Sequence, residues 1–213
     1  MSFKAILWDF GGVLTSSPFD NFAHYEAANG LPKDFLRGVN ARNHEHNAWA
    51  LFESSQVSLA EFDQLFEAES AALGHAVPGR EVLALLGGEV RPRMVEVLKR
   101  CKQDYQVTCL TNNVNMGGGP GMWGSVARAA EVAGVLALFH LVIESSVEGI
   151  RKPDPRIYAL ACERMGVAAH EVVYLDDLGV NLKPAKALGM RTIKVTDEAR
   201  AIADLSGVLG WSL

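Results

Sequence analysis

Cysteine is scarce in this chain: 213 residues hold three, Cys101, Cys109 and Cys162. Their odd number and the lack of any CxxC spacing argue against a disulfide framework and a cysteine zinc site. Reduced structural cysteines of a cytoplasmic protein are expected instead, Cys109 in a strand-like run and the other two in helix-like runs. Long apolar runs are also missing. None approaches the ~18 residues of a membrane span, and Asp9 interrupts the first apolar stretch too early for a signal peptide. Basic residues form no stripe, and 20 Lys and Arg against 25 Asp and Glu leave a net charge of −5. Phosphate backbones need clustered cations, so nucleic acid is not an expected partner, although one small phosphate can still bind locally. No repeat, linker or low-complexity segment stands out.

The composition that is present, 49% hydrophobic and 21% charged, is that of a globular domain with a full core. Five short apolar runs read as buried strands: 5–10, 106–112, 138–145, 171–177 and 190–195. Helical patterns lie between the later ones. In "PRMVEVLKRCK", Met94, Val95, Leu98 and Cys101 share a face; in "DPRIYALACERMG", Ile157, Leu160 and Ala161 do so before a capping Gly166. "NLKPAKALGM" ends at Gly189, with Pro184 expected in its first turn. Apolar strands alternating with helices predict a doubly wound α/β core with a parallel sheet. Residues 16–88 differ: they show no strand and read as successive helices over 20–30, 43–54, 58–74 and 79–88. Ser58 and Glu61 have capping-box spacing. The expected division is a core of 1–15 and 89–213 carrying a helical cap of 16–88, inserted after the first strand.

In an open parallel sheet, ligands bind beyond the carboxyl ends of the strands. Those ends carry Asp9, then Thr111, Asn112 and Asn113, then Glu144, Ser145 and Ser146, then Asp176 and Asp177, with Lys152 just after the third. Crowded carboxylates repel unless a cation intervenes. Mg²⁺ suits such a site, since it takes oxygen ligands and lets a substrate phosphate complete its shell. Thr111 and Asn112 add neutral groups and Lys152 a fixed positive charge, a set able to hold a phosphoryl group through transfer. Asp9 is then the candidate nucleophile. Gly11 and Gly12 allow a sharp turn and a close approach to substrate.

In order, "DFGGVL", "LTNN", "RKPDPRIY" and "YLDDLGVNLKPAKALGM" resemble the four motifs of the haloacid dehalogenase superfamily. The last two are the most specific, and are most similar to the group of the soluble epoxide hydrolase N-terminal phosphatase domain. The resemblance implies a Rossmann-like core with a cap domain and Mg²⁺-dependent hydrolysis of a small phosphorylated metabolite. It implies Asp9 as nucleophile and metal ligand, Thr111 and Asn112 on the phosphoryl oxygens, and Lys152 pairing with nucleophile and phosphate. Asp177 and the Gly11 carbonyl would hold the metal, with Asp176 beside them either as a further ligand or orienting the ligands from behind. Asn181 stands where many members have an acid. One departure matters: phosphatases of the family carry a second Asp two residues after the nucleophile, as proton donor, and here that position is Gly11. Another group or water would do the proton work, or the substrate has a good leaving group, or the protein binds phosphate compounds with little turnover. A second alternative is 2-haloacid dehalogenation, which uses the same nucleophile without Mg²⁺. The expected assembly is a monomer or homodimer.

Other features read as structural. His44, Glu45 and His46 alternate on a presumed helix, where i and i+2 face different ways, so no metal site is expected there. His24 reads as a helix-surface residue. The glycine-rich stretch 115–124 lacks the Lys-Ser/Thr ending of a P-loop and reads as a loop. Trp49, Phe52, Phe62 and Phe66 have helical spacing and are expected to pack the cap.

Overall fold

Every residue of β1 (Ala5–Trp8) is fully buried, on both faces of the strand. Such a strand needs a packed layer on each side. In the computed structural model, which describes residues 2–113 and 125–211, the chain provides both. After β1 come α1 (Pro18–Ala28), α2 (Phe35–Ala41), α3 (Ala48–Glu53), α4 (Leu59–Ala71) and α5 (Gly79–Ala84). Then α6 (Pro92–Asp104), β2 (Gln106–Thr111), α7 (Val126–Leu136), β3 (Leu141–Glu144) and α8 (Ser145–Glu148) follow. The chain closes with α9 (Pro155–Met165), β4 (Val172–Asp176), α10 (Gly179–Leu188), β5 (Arg191–Lys194) and α11 (Glu198–Leu209).

The five strands form one parallel sheet in the order β3-β2-β1-β4-β5. β1 is central, so the connection from β3 to β4 crosses from one half of the sheet to the other. The switch point lies at the carboxyl end of β1, where such sheets open a crevice. Trp8 pairs with Cys109 of β2 and Leu175 of β4, so Asp9 emerges between the tips of both neighbours. The strand pleat divides the core. Ile6 and Trp8 pack with Met94, Leu98, Cys101 and Leu205 on one face. Ala5 and Leu7 pack with Ile157, Tyr158, Ala161 and Ala185 on the other.

The helices α1 to α5 have a separate apolar cluster that includes Phe22, Leu36, Phe52, Phe62, Phe66 and Leu83. Phe52 stacks on Phe62 at 4.6 Å between centroids, and Trp49 meets Phe62 edge-on at 5.3 Å. The chain leaves and re-enters the sheet side by side: Ser16 N–H donates to the Glu89 carbonyl at 2.8 Å, and Arg91 N–H to that of Leu14 at 2.8 Å. A Cβ at Gly88 would lie 2.4 Å from the Ser16 carbonyl oxygen, so only glycine permits this approach.

Several expectations are corrected. His44–His46 lie in turns, and the helix begins at Ala48, because the Asn47 side chain caps it by accepting from the Ala50 N–H at 2.8 Å. α2 had no expected counterpart. The third strand begins at Leu141, not 138, since Leu138 and Phe139 still close turns onto Val135 and Leu136. The helix expected over 79–88 stops at Ala84. Pro184 sits inside α10 rather than in its first turn, because that helix starts at Gly179. The stretch 115–124 lies outside the described residues.

Candidate active site

Asp9 follows β1 directly and is 7% exposed. Its Oδ1 accepts from the Phe10 N–H at 2.7 Å and lies 2.8 Å from Lys152 Nζ. The same ammonium donates to Asp176 Oδ2 at 2.9 Å. Lys152, 1% exposed, thus bridges carboxylates at the tips of two adjacent strands. Asp176 is wholly buried and fully engaged: it accepts from the Tyr174 hydroxyl, from Leu178 N–H at 2.8 Å, and from Asn181 Nδ2 at 3.1 Å to each oxygen. Asn181 therefore orients Asp176 through hydrogen bonds.

Asp177 lies against the turn after β1. Gly12 has φ +74°, and a Cβ there would stand 2.2 Å from Asp177 Oδ2. Both the left-handed backbone and the contact demand glycine. The Gly12 carbonyl is held from behind by Arg91, which donates to it at 2.9 Å. At Gly11, in contrast, an added Cβ would meet nothing within 4 Å.

One oxygen each from Asp9, Asp176 and Asp177 lies within 4.8 Å of the other two. Two of the three, Asp9 and Asp176, contact the Lys152 ammonium, so three carboxylates gather around one directly bound cation. Hard oxygen donors with a charge deficit of two fit a divalent cation of the Mg²⁺ type. The electrostatics agree. Burial, then the charge of Asp176, push the Asp177 carboxyl up to about 6, against the opposing pull of Lys152. Burial raises Asp9 well above the carboxylate range, and Asp176 and Asp177 add to this, while Lys152 opposes it. Burial works against the charged form of Lys152, but Asp176 and Asp9 outweigh it and hold the ammonium protonated.

Thr111 ends β2 and lines the cavity. The Asn112 side chain has a task that its motif does not suggest. Its Oδ1 accepts from Lys152 N–H at 2.8 Å, and its Nδ2 donates to the Lys152 carbonyl at 3.0 Å and to Glu53 Oε2 at 3.3 Å. Asn113 bonds Glu144, Ser145 and Ser146, so these strand-end residues knit β2 to β3.

Asp9, Gly11, Thr111, Lys152 and Asp177 open into a cavity of about 710 Å³, roofed by Phe19, Phe22, Trp49, Glu53 and Leu86. Glu53, Arg151, Arg91 and Tyr174 were not found by sequence reasoning. Arg151 adjoins Lys152 in "GIRKPDP", and Tyr174 stands two residues before Asp176 on the same face of β4; Glu53 carries no local signal. Among the described residues, the acidic trio is the one cluster able to hold a metal, and it excludes His44 and His46. Among them, too, no helix is long and apolar enough to cross a membrane.

A doubly wound sheet whose switch point carries a carboxylate–ammonium centre beneath a helical cluster defines a class of α/β hydrolases. The chain belongs to the haloacid dehalogenase-like hydrolases, whose sequence model matches residues 3–189. It is 30% identical over its whole length to acyl-CoA dehydrogenase family member 10 of Mus musculus, covering 20% of that protein. It is 27% identical to bifunctional epoxide hydrolase 2 of Rattus norvegicus over 99% of the chain and 39% of the relative. The chain thus spans a fifth to two fifths of the length of these proteins. A sesquiterpene phosphatase of Aspergillus oryzae is 26% identical, with 98% of each chain covered. A HAD family enzyme of Bacteroides thetaiotaomicron, in complex with magnesium and inorganic phosphate, shares the fold at a TM-score of 0.59 and 19% identity, with 92% of this chain and 97% of that one covered.

Proposed function

We propose that this hydrolase is a Mg²⁺-dependent phosphatase that cleaves a small phosphomonoester through an aspartyl-phosphate on Asp9. The observation that carries the reading is the convergence of Asp9, Lys152 and two further carboxylates on one edge of a roofed cavity. Phe10 N–H and Lys152 Nζ occupy Asp9 Oδ1, so Oδ2 is the attacking oxygen. Attack forms the Oδ2–P bond and breaks the bond from phosphorus to the ester oxygen. The leaving oxygen keeps the electron pair and takes a proton from water. A water then attacks phosphorus and the Oδ2–P bond breaks; its proton neutralises the hydroxide left by the first step, orthophosphate is released and the Asp9 carboxylate is restored. Thr111 and Lys152 bind the phosphoryl oxygens, and the ammonium offsets their charge. Asp9, Asp177 and the Gly11 carbonyl would hold Mg²⁺, with Asp176 beside them in the same acidic cluster, and the cation would supply charge stabilisation to the phosphoryl group. Helices α1 to α5 act as the cap that excludes bulk water.

The phosphatase-named relative and the magnesium–phosphate complex of a neighbour support this reading. The test is release of p-nitrophenol from p-nitrophenyl phosphate with and without Mg²⁺. Activity that needs Mg²⁺ and falls at least ~10³-fold in Asp9→Asn is the expected result. Chloride release from 2-chloropropionate in the presence of chelator, without phosphate release, would select the dehalogenase alternative. Because Gly11 supplies no proton donor, phosphate binding with no turnover is the outcome that would select a ligand-binding protein.

A further inference from the structure

A buried carboxylate is costly unless charges and donors surround it. Glu53 of α3 is 7% exposed, and its partners come from two parts of the molecule. Within its own helix, Trp49 Nε1 donates to Oε1 at 3.0 Å. Across the cavity, Arg151 Nε lies 2.6 Å from Oε2 and Asn112 Nδ2 donates to the same oxygen at 3.3 Å. The solvation lost by this carboxylate is therefore replaced in full only when the helices above the sheet are seated on it. Asn112 in turn closes a two-bond ring on the Lys152 main chain, accepting from its N–H and donating to its carbonyl. The ammonium of Lys152 ends between Asp9 and Asp176.

We propose that Glu53 is a positioning residue: through Asn112 it fixes the Lys152 main chain, so that seating of α3 and alignment of the ammonium on Asp9 are one event. Glu53 touches neither Asp9 nor the cation site, and its effect passes through Asn112 and Arg151. The catalytic half of this inference rests on Lys152 serving the reaction proposed above. Its structural half does not, because the Lys152 amide itself reports on the ring.

The experiment follows hydrogen exchange of the Lys152 amide by NMR in the metal-free full chain, for the native protein, Glu53→Gln and Ser55→Ala. Ser55, two residues beyond the end of α3, also joins it to the sheet half of the molecule, its hydroxyl donating to the Ser146 carbonyl at 2.8 Å rather than to Asn112. Glu53→Gln is expected to speed Lys152 exchange about tenfold while Ser55→Ala leaves it unchanged. In the phosphatase assay, Glu53→Gln is expected to lower kcat roughly 10–100-fold with KM within about twofold, as for other groups that orient a reacting side chain. Unchanged Lys152 exchange in Glu53→Gln overturns the proposal. So does equal acceleration in Ser55→Ala, which would mean general loosening, and so does faster exchange with unaltered kcat. Should Glu53→Gln not fold, Glu53→Asp keeps the charge, shortens the reach by one methylene and is held to the same outcomes. A native protein without phosphatase activity counts against the proposed function alone, and the exchange comparison still decides the relay.

Discussion

Asp177 is held in two competing states by its neighbours. With its carboxyl pushed up to about 6, it is largely neutral at mildly acidic pH in the metal-free protein, whereas a bound cation needs it ionised. Mg²⁺ affinity is therefore expected to fall by up to about tenfold per pH unit below 6, as read by calorimetric titration. The sign for stability is opposite. A folded-state value above the ordinary 3.8 contributes stability that is complete below that pH and lost as the pH rises through 6. Asp177→Asn removes the loss. At pH 7 the metal-free variant is expected to exceed the native protein by up to about 3 kcal/mol in urea unfolding, with the gap closing near pH 4. A variant less stable than native at pH 7 would contradict the assignment of burial as the cause. At Gly11 the space for a side chain is open. Gly11→Asp is expected to raise kcat for alkyl phosphates about 10²-fold and to leave p-nitrophenyl phosphate nearly unchanged, since nitrophenolate departs unprotonated. Steady-state kinetics on both substrates decides it, and no gain would place proton transfer on another group.

Among elements, α4 shows which signals are local. Ser58 Oγ accepts from Glu61 N–H at 3.3 Å, and Glu61 Oε2 accepts from Ser58 N–H at 2.8 Å, the reciprocal pair that S-x-x-E announces. Ser58→Ala is expected to cost about 1 kcal/mol in denaturant unfolding. The five strands were legible for a similar reason, because a strand buried on both faces must be apolar at successive positions. The start of α3 was not. The periodicity of "NHEHNAWALFES" runs through Asn47, and only the side-chain bond to Ala50 shows that the chain turns there. In α10 the helix starts at Gly179, which leaves Pro184 in its interior against the positional preference of proline. Tertiary packing of Leu182 and Ala185 on the sheet outweighs it.

For the whole molecule, the crowding of buried Asp9 and Asp176 with half-buried Asp177 opposes folding, and a dication would offset it. Mg²⁺ at about 100 times its dissociation constant should add roughly 2.7 kcal/mol and raise the thermal midpoint by about 5–10 °C, whereas Asp177→Asn should show little rise. Differential scanning calorimetry with and without Mg²⁺ checks this. The sequence by itself determined the parallel sheet and the placing of Asp9, Thr111, Asp176 and Asp177 at the carboxyl ends of its strands, because burial on both faces and strand-end position are written in consecutive residues. Tertiary structure alone decided that Lys152 bridges Asp9 and Asp176, that Asn112 clamps Lys152, and that Glu53 reaches them from another helix. Those contacts join residues 24 to 143 positions apart. Separations of that size have no period in the sequence, and the polar groups find one another only after the apolar faces have packed.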